Sequence, residues 1–116
     1  MSSRFVHRTF GEPDSFEAVE LARTDFVTLD GVTFRRLTFE PGFRASVHMK
    51  RAMGIETCPF AHVMVSTSGR GVFRMLDGTE HPTEPWQIIA LDAGHDFWVV
   101  GDEPAVFIEP TVGALP

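Results

Sequence analysis

The chain carries one thiol, Cys58, and five imidazoles, His7, His48, His62, His81 and His95. Thiolate, imidazole and carboxylate are the protein groups that bind zinc, at about 2.0–2.3 Å, and catalytic zinc sites leave one position open. A thiolate beside imidazoles suits nickel, copper or iron as well, so residue type does not select the ion. Glu56 and Cys58 lie just before His62 in the segment Glu56-Thr57-Cys58-Pro59-Phe60-Ala61-His62. His62 follows a turn and begins an apolar run, where an imidazole needs a polar partner. His95 follows Gly94 in another turn and could ligate a metal or hydrogen-bond backbone there. A metal bound through Cys58 must displace the thiol proton, so its affinity falls as the pH drops. His48, with an unperturbed pKa of about 6.5, could act as an acid or base. Each group also has a plainer reading: Cys58 as a small buried hydrophobe, Glu56 as a solvated loop acid, and His48 as a surface histidine. His7 and His81 read as exposed.

These groups must be positioned by short β segments cut by Gly, Pro and Asp. Phe26–Leu29 precedes the turn Asp30-Gly31, and Val32–Phe39 runs to Glu40-Pro41-Gly42. Further strands are expected over 43–49, where His48 would share a face with Ser46 and Lys50, and over 62–66, 71–76, 86–91, 97–100 and 105–108. Asp77-Gly78 suits a type I′ hairpin turn. About eight strands at regular spacing point to a closed barrel or jelly roll. Alternation puts His62, Met64 and Ser66 on one face of their strand, and His95, Phe97 and Val99 on one face of theirs. Met64, Phe73, Met75, Phe97 and Phe107 would form the floor of a ligand pocket, or plain core. Residues 1–24 read as an N-terminal extension, with a capping box at Asp14-Ser15-Phe16-Glu17 starting a short helix through Ala22. Residues 25–116 then form the single domain.

The bulk of the sequence agrees with one compact unit. A chain of 116 residues leaves no room for a second core. Eleven Phe, two Trp and no Tyr suggest a dry interior. A net charge of −6 argues against nucleic acid and anionic membrane as partners. The lone cysteine gives no internal disulfide, and neither a signal peptide nor a membrane-spanning run is evident, so a soluble cytoplasmic protein is expected. Strands apolar on both faces are compatible with a second copy outside the barrel and also with a tight monomer; a homodimer is expected.

Two stretches resemble the paired motifs of the cupin superfamily. In the first motif a Gly precedes His-x-His, then a Glu and a second Gly. Gly69 stands seven residues after His62, as that second Gly does after the motif Glu, and counting back puts Cys58 and Glu56 at the two motif histidines. The second motif is similar to Leu91-Asp92-Ala93-Gly94-His95-Asp96-Phe97, with Phe97 at the usual ligand position and His95 two residues earlier. The likeness sharpens to one branch of small single-domain cupins. It is carried by Phe39-Glu40-Pro41-Gly42-Phe43-Arg44, Gly54-Ile55-Glu56-Thr57-Cys58, His62, Ser68-Gly69-Arg70, Asp77-Gly78-Thr79-Glu80 and Ala93-Gly94-His95-Asp96-Phe97-Trp98-Val99-Val100-Gly101-Asp102-Glu103-Pro104. It spans residues 26–109 without an obvious gap.

The resemblance implies an all-β, double-stranded β-helix jelly-roll barrel that holds a divalent transition metal, whether zinc, nickel, iron or copper. Cys58, His62, His95 and Glu56 are the implied ligands, with Glu56 and His48 in proton transfer on a small, partly apolar molecule. It does not imply a reaction, because cupins host many unrelated functions. An oxygenase, isomerase, lyase or cyclase is expected, and a non-catalytic binding or sensing module is the alternative. The branch usually has Trp-Arg-Trp at Phe43-Arg44-Ala45, Asp at Glu56, Gly-Asp at Pro85-Trp86 and Ile-Pro-Pro-Gly at Leu91-Asp92-Ala93-Gly94, departures that would reshape the pocket.

Overall fold

The computed structural model describes residues 3–112. Nine strands and one helix follow in order: β1 Ser15–Val19, β2 Ala22–Leu29, β3 Val32–Phe39, α1 Ala45–Met53, β4 His62–Ser68, β5 Arg70–Arg74, β6 Glu80–Thr83, β7 Ile88–Leu91, β8 Asp96–Val100 and β9 Ala105–Val112. They form a six-stranded sheet, β1-β2-β3-β9-β4-β7, and a three-stranded sheet, β6-β5-β8, with every pairing antiparallel. The all-β barrel expected from the strand spacing is therefore present. No helix among the described residues is long and apolar enough to cross a membrane.

Alternation fixes which side chains fill the barrel. Met64 on β4 and Phe107 on β9 face inward from the larger sheet, and the register pair Phe73 and Phe97 faces them from β5 and β8. Phe43 and Ala105 complete the buried set. The rings meet at tilted or edge-on angles, with Phe73 and Phe97 centroids 4.6 Å apart and Phe97 and Phe107 5.5 Å apart. Aromatic quadrupoles favour such contacts over face-to-face sandwiches. Each ring removed from water contributes about 1.5–3 kcal/mol.

The structure departs from the expected elements in three places. Residues 14–17 do not start a helix. Ser15–Val19 is the edge strand β1, joined to β2 by Glu20-Leu21 with Val19 opposite Ala22. The Asp14 carboxylate accepts the Thr28 N–H at 2.8 Å instead of capping a helix, and Phe16 takes the Arg23 guanidinium across the hairpin at 4.0 Å. Pairing with β2 thus overrides a weak local signal.

Residues 43–49 are not a strand either. Phe43, Ala45, Val47 and Met49 alternate and imitate a period of two, but Ala45–Met53 is the helix α1. Its Ala, Met, Lys and Arg are strong helix formers. Ala45, His48 and Met49 face the body of the protein at helical spacing, whereas Val47 is exposed. Gly54, at φ 73°, ends the helix by donating to the Lys50 carbonyl at 2.9 Å, a left-handed cap that glycine adopts at least cost.

Nor is the Asp77-Gly78 turn of type I′. Gly78 alone has positive φ, 88°, and its N–H bonds to the Met75 carbonyl while the Met75 N–H bonds to the Thr79 carbonyl. That is a three-residue loop, a type I turn closed by a left-handed glycine. The strand after the turn, β6, carries no strand signal in the sequence because Glu80-His81-Pro82-Thr83 lacks apolar alternation. Pro82 is tolerated there because β6 is an edge strand.

Candidate metal centre

The loop before β4 and the turn before β8 are joined by backbone. The Cys58 N–H donates to the His95 carbonyl at 3.0 Å, and the Gly94 N–H donates to the Cys58 carbonyl at 2.7 Å. This two-bond clasp fixes Cys58 beside His95. His62, the first residue of β4, points inward in phase with Met64 and Ser66. One donor atom from each of Cys58, His62 and His95 lies within 4.8 Å of the others, a group that could hold a metal ion.

Hydrogen bonds orient both imidazoles. The His62 Nδ1–H donates to Glu109, 3.0 Å from each carboxylate oxygen, which turns Nε2 toward the Cys58 sulfur at 3.3 Å. The His95 Nδ1–H donates to the Asp92 carbonyl at 2.8 Å, and the ring lies against the Cys58 sulfur. Metal-binding histidines are commonly held in this way, with the distal nitrogen fixed by a carboxylate or carbonyl. The rings themselves meet edge-on, 5.4 Å apart.

Glu109 was not anticipated. It is buried on the inward face of β9 and also accepts the Val63 N–H at 3.2 Å and the guanidinium of Arg35, its register partner on β3. A signal existed in the sequence. Ala105, Phe107 and Glu109 share one strand face, as do Arg35, Leu37 and Phe39, so each strand carries a charge in phase with buried apolar residues. Alternation alone would have flagged both.

The electrostatics favour a thiolate. Burial pushes the Cys58 thiol up, but the His62 and His95 rings more than offset this and bring it down to about 6. Burial likewise disfavours the charged form of His62, while Cys58 and Glu109 stabilise it and raise its pKa to about 9. Burial would raise the Glu109 carboxyl as well, yet His62 and Arg35 hold it below its usual range. Without metal, Cys58 and His62 therefore form a thiolate–imidazolium pair at neutral pH.

The other anticipated residues are distributed differently. Glu56 is exposed and lies outside the ligand group, its carboxylate taking the Lys50 ammonium at 2.8 Å. His48 is buried on α1, not on a strand. It stacks on Phe43 at 5.5 Å, and its Nδ1 accepts the Arg44 N–H at 3.0 Å. A cavity of about 230 Å³ opens beside the ligand group and is lined by Met64, Phe73 and Phe97 among others. Phe107 is core, and Met75 lines a separate open groove between β4, β6 and β7. Glu56 reaches the cavity mouth, and His48 is absent from the lining.

No protein-family model matches the sequence, and no curated protein matches it. Solved structures do. An ectoine synthase from P. lautus superposes with a TM-score of 0.68 at 11% identity, covering 96% of this chain and 80% of that one. A Cupin 2 conserved barrel domain protein from Salinispora arenicola gives 0.62 at 10% identity, covering 94% and 88%. A cupin-2 domain from Rhodospirillum rubrum gives 0.59 at 14% identity, covering 97% and 70%. At these identities the likeness shows the fold, a cupin barrel, and carries nothing about substrate or reaction.

Proposed function

We propose that this chain is a metal-dependent cupin enzyme acting on a small, partly apolar molecule, in an oxygenase, isomerase, lyase or cyclase type of reaction. One observation carries the reading: Cys58, His62 and His95 converge at the wall of an apolar cavity, with both imidazoles turned by a partner on Nδ1. One thiolate and two imidazoles suit zinc, nickel, iron or copper. Bound there, the ion would supply a Lewis acid for a substrate oxygen or for water. Cys58, His62 and His95 would hold it, and Glu109 would keep His62 in the required orientation. Met64, Phe73 and Phe97 would pack against the substrate and exclude water. That an ectoine synthase shares the fold supports the enzymatic side of the reading by analogy only.

A non-catalytic binding or sensing module is the second reading. It is favoured by Phe97, an inert ring where cupins usually place a ligand, and by the position of His48 outside the cavity lining. Elemental analysis of protein purified without a histidine tag tests the shared part. About one equivalent of a transition metal in the wild type, lost in Cys58→Ser, is expected; equal and negligible metal in both would overturn it. Oxygen uptake or product formation by the loaded protein then separates enzyme from sensor. We further propose a soluble homodimer as the working form.

A further inference from the structure

Strand β7 pairs with β4 on one side, and among the described residues nothing pairs with its other side. The unpaired N–H and C=O groups of a sheet edge are a template for another strand, so native sheets blunt their edges with charge, proline or a covering segment. The remaining edges of this fold carry such devices. β1 has Glu17 at its centre, and β6 has Glu80 and Pro82. The outer side of β8 is taken by the segment before α1, through the Arg44–Trp98 bridge and the Val99 N–H, which donates to the Phe43 carbonyl at 3.2 Å. β7, Ile88-Ile89-Ala90-Leu91, has no charge, no proline and, among the described residues, no cover.

The surroundings of this edge point the same way. Ile89 and Leu91 pack against the core, while Ile88 and Ala90 are exposed. Trp86, just before the strand, is also exposed and holds a left-handed backbone at φ 69°, which a bulky residue adopts at a cost. Within one chain that cost sets an indole out in solvent. Trp86 and Ile88 together expose about 300 Å² of largely apolar surface. Beside them runs the open groove of about 730 Å³ between β7 and β6, with Ile89, Leu91, Met75 and Pro82 in its wall. His62 and Phe73 line both this groove and the ligand cavity, so the groove is a second approach to the metal centre.

We infer that β7 pairs antiparallel with β7 of a second copy about a two-fold axis, joining the two larger sheets into one and closing the groove that leads to His62. This rests on the homodimer proposed above and assigns its interface. An antiparallel edge is its own complement under a two-fold axis, because a residue that meets a given position is met by that position in return. Two chains of charge −6 repel each other, and an uncharged strand is where they meet with least opposition. A standard interface buries about 800 Å² per partner; Trp86 and Ile88 supply about a third of that, and the groove wall and backbone edge supply the rest. Glu84 and Asp92 bracket the strand, so like charges meet at its ends and the dimer is expected to tighten with added salt.

Sedimentation equilibrium of the full-length chain measures the dimer. Ile88→Lys combined with Ala90→Lys alters two exposed side chains and sets four like charges across the axis, so the dissociation constant is expected to rise about tenfold or more. Trp86→Gly removes the indole and relieves the left-handed backbone together, and is expected to weaken the dimer with the fold intact. Val47→Lys, on the exposed face of α1, is expected to leave it unchanged. A second measurement reads the backbone pairing in the wild type and needs no variant. About half of the β7 N–H groups point to the free edge, and their exchange with solvent is expected to slow as the protein concentration passes the dissociation constant. A dimer that is unmoved by the double lysine variant, that loosens with salt, or whose β7 amides exchange as fast as in dilute protein overturns this interface and leaves the dimer standing. A wild type that stays monomeric at every concentration overturns both, and leaves the edge to an extended segment of another protein.

Discussion

Glu109 sets the chemistry available to His62. By accepting from Nδ1 it fixes the tautomer and turns Nε2 toward Cys58, and its bond to Arg35 keeps the carboxylate from swinging away. Glu109→Gln removes the charge but keeps the shape, so metal affinity is expected to fall about 10–100-fold with the fold intact, as measured by chelator competition. An unchanged affinity would reduce Glu109 to a packing role. The pH dependence follows from the same contacts. Cys58 titrates at about 6, below its ordinary value, and His62 at about 9, above its own. Between those values the pair holds one proton, on His62, which an entering metal must displace; below about 6 it must displace the thiol proton as well. Affinity is therefore expected to rise with pH, through the loss of one proton from this pair between about 6 and 9 and two below about 6, and to level off above. Proton release measured in two buffers of different ionisation enthalpy checks the count. In the sequence, Cys58, His62 and His95 could be picked out because their types are rare and their spacing informative. Glu56 could not be ruled out there, because nothing local reveals that Lys50, one helix turn and a loop away, takes its carboxylate.

The strands that place these residues could be read where one face is buried. Met64 and Ser66 on β4, and Phe97 on β8, alternate cleanly inward. The reading failed where a helix imitated that alternation over 43–49, and where edge strands carried no apolar pattern, as in β1 and β6. Helix α1 is held to the site by Asp96, whose buried carboxylate accepts the Ser46 N–H at 2.9 Å, the Phe97 N–H at 2.8 Å and the Arg44 Nε–H at 3.2 Å. Sequence alone does not reveal this role of Asp96, because its partners Arg44 and Ser46 lie some fifty residues away. The pairing of β5 with β8 is tight as well. A Cβ on Gly71 would lie 2.4 Å from the Phe97 ring and 2.7 Å from the Trp98 carbonyl. Gly71→Ala is expected to cost about 1–3 kcal/mol and to push Phe97 into the cavity. Thermal unfolding should show a lowered midpoint, and a variant as stable as the wild type would contradict this packing.

Taken as one body, the barrel leaves apolar side chains on the outside of the larger sheet, near its β7 edge. Ile88 is 84% exposed, Trp86 75% and Val63 62%. Large apolar residues grouped on a surface mark sites of association, and the proposed homodimer would cover them. Light scattering of the purified protein is expected to give twice the 12.9 kDa chain mass; a monomer mass would refute the dimer. Sequence conveyed the barrel through strand spacing and motif likeness, but it could not show how the loop at Cys58 and the turn at His95 are clasped together, because that clasp is two backbone hydrogen bonds. The convergence of those two segments on His62 is what everything chemical here depends on. X-ray absorption at the metal edge of tag-free, metal-loaded protein tests it most directly. A first shell containing one sulfur and two imidazole nitrogens, with the sulfur lost in Cys58→Ser, is the expected result. A shell without sulfur, or one unaltered by that substitution, would contradict it.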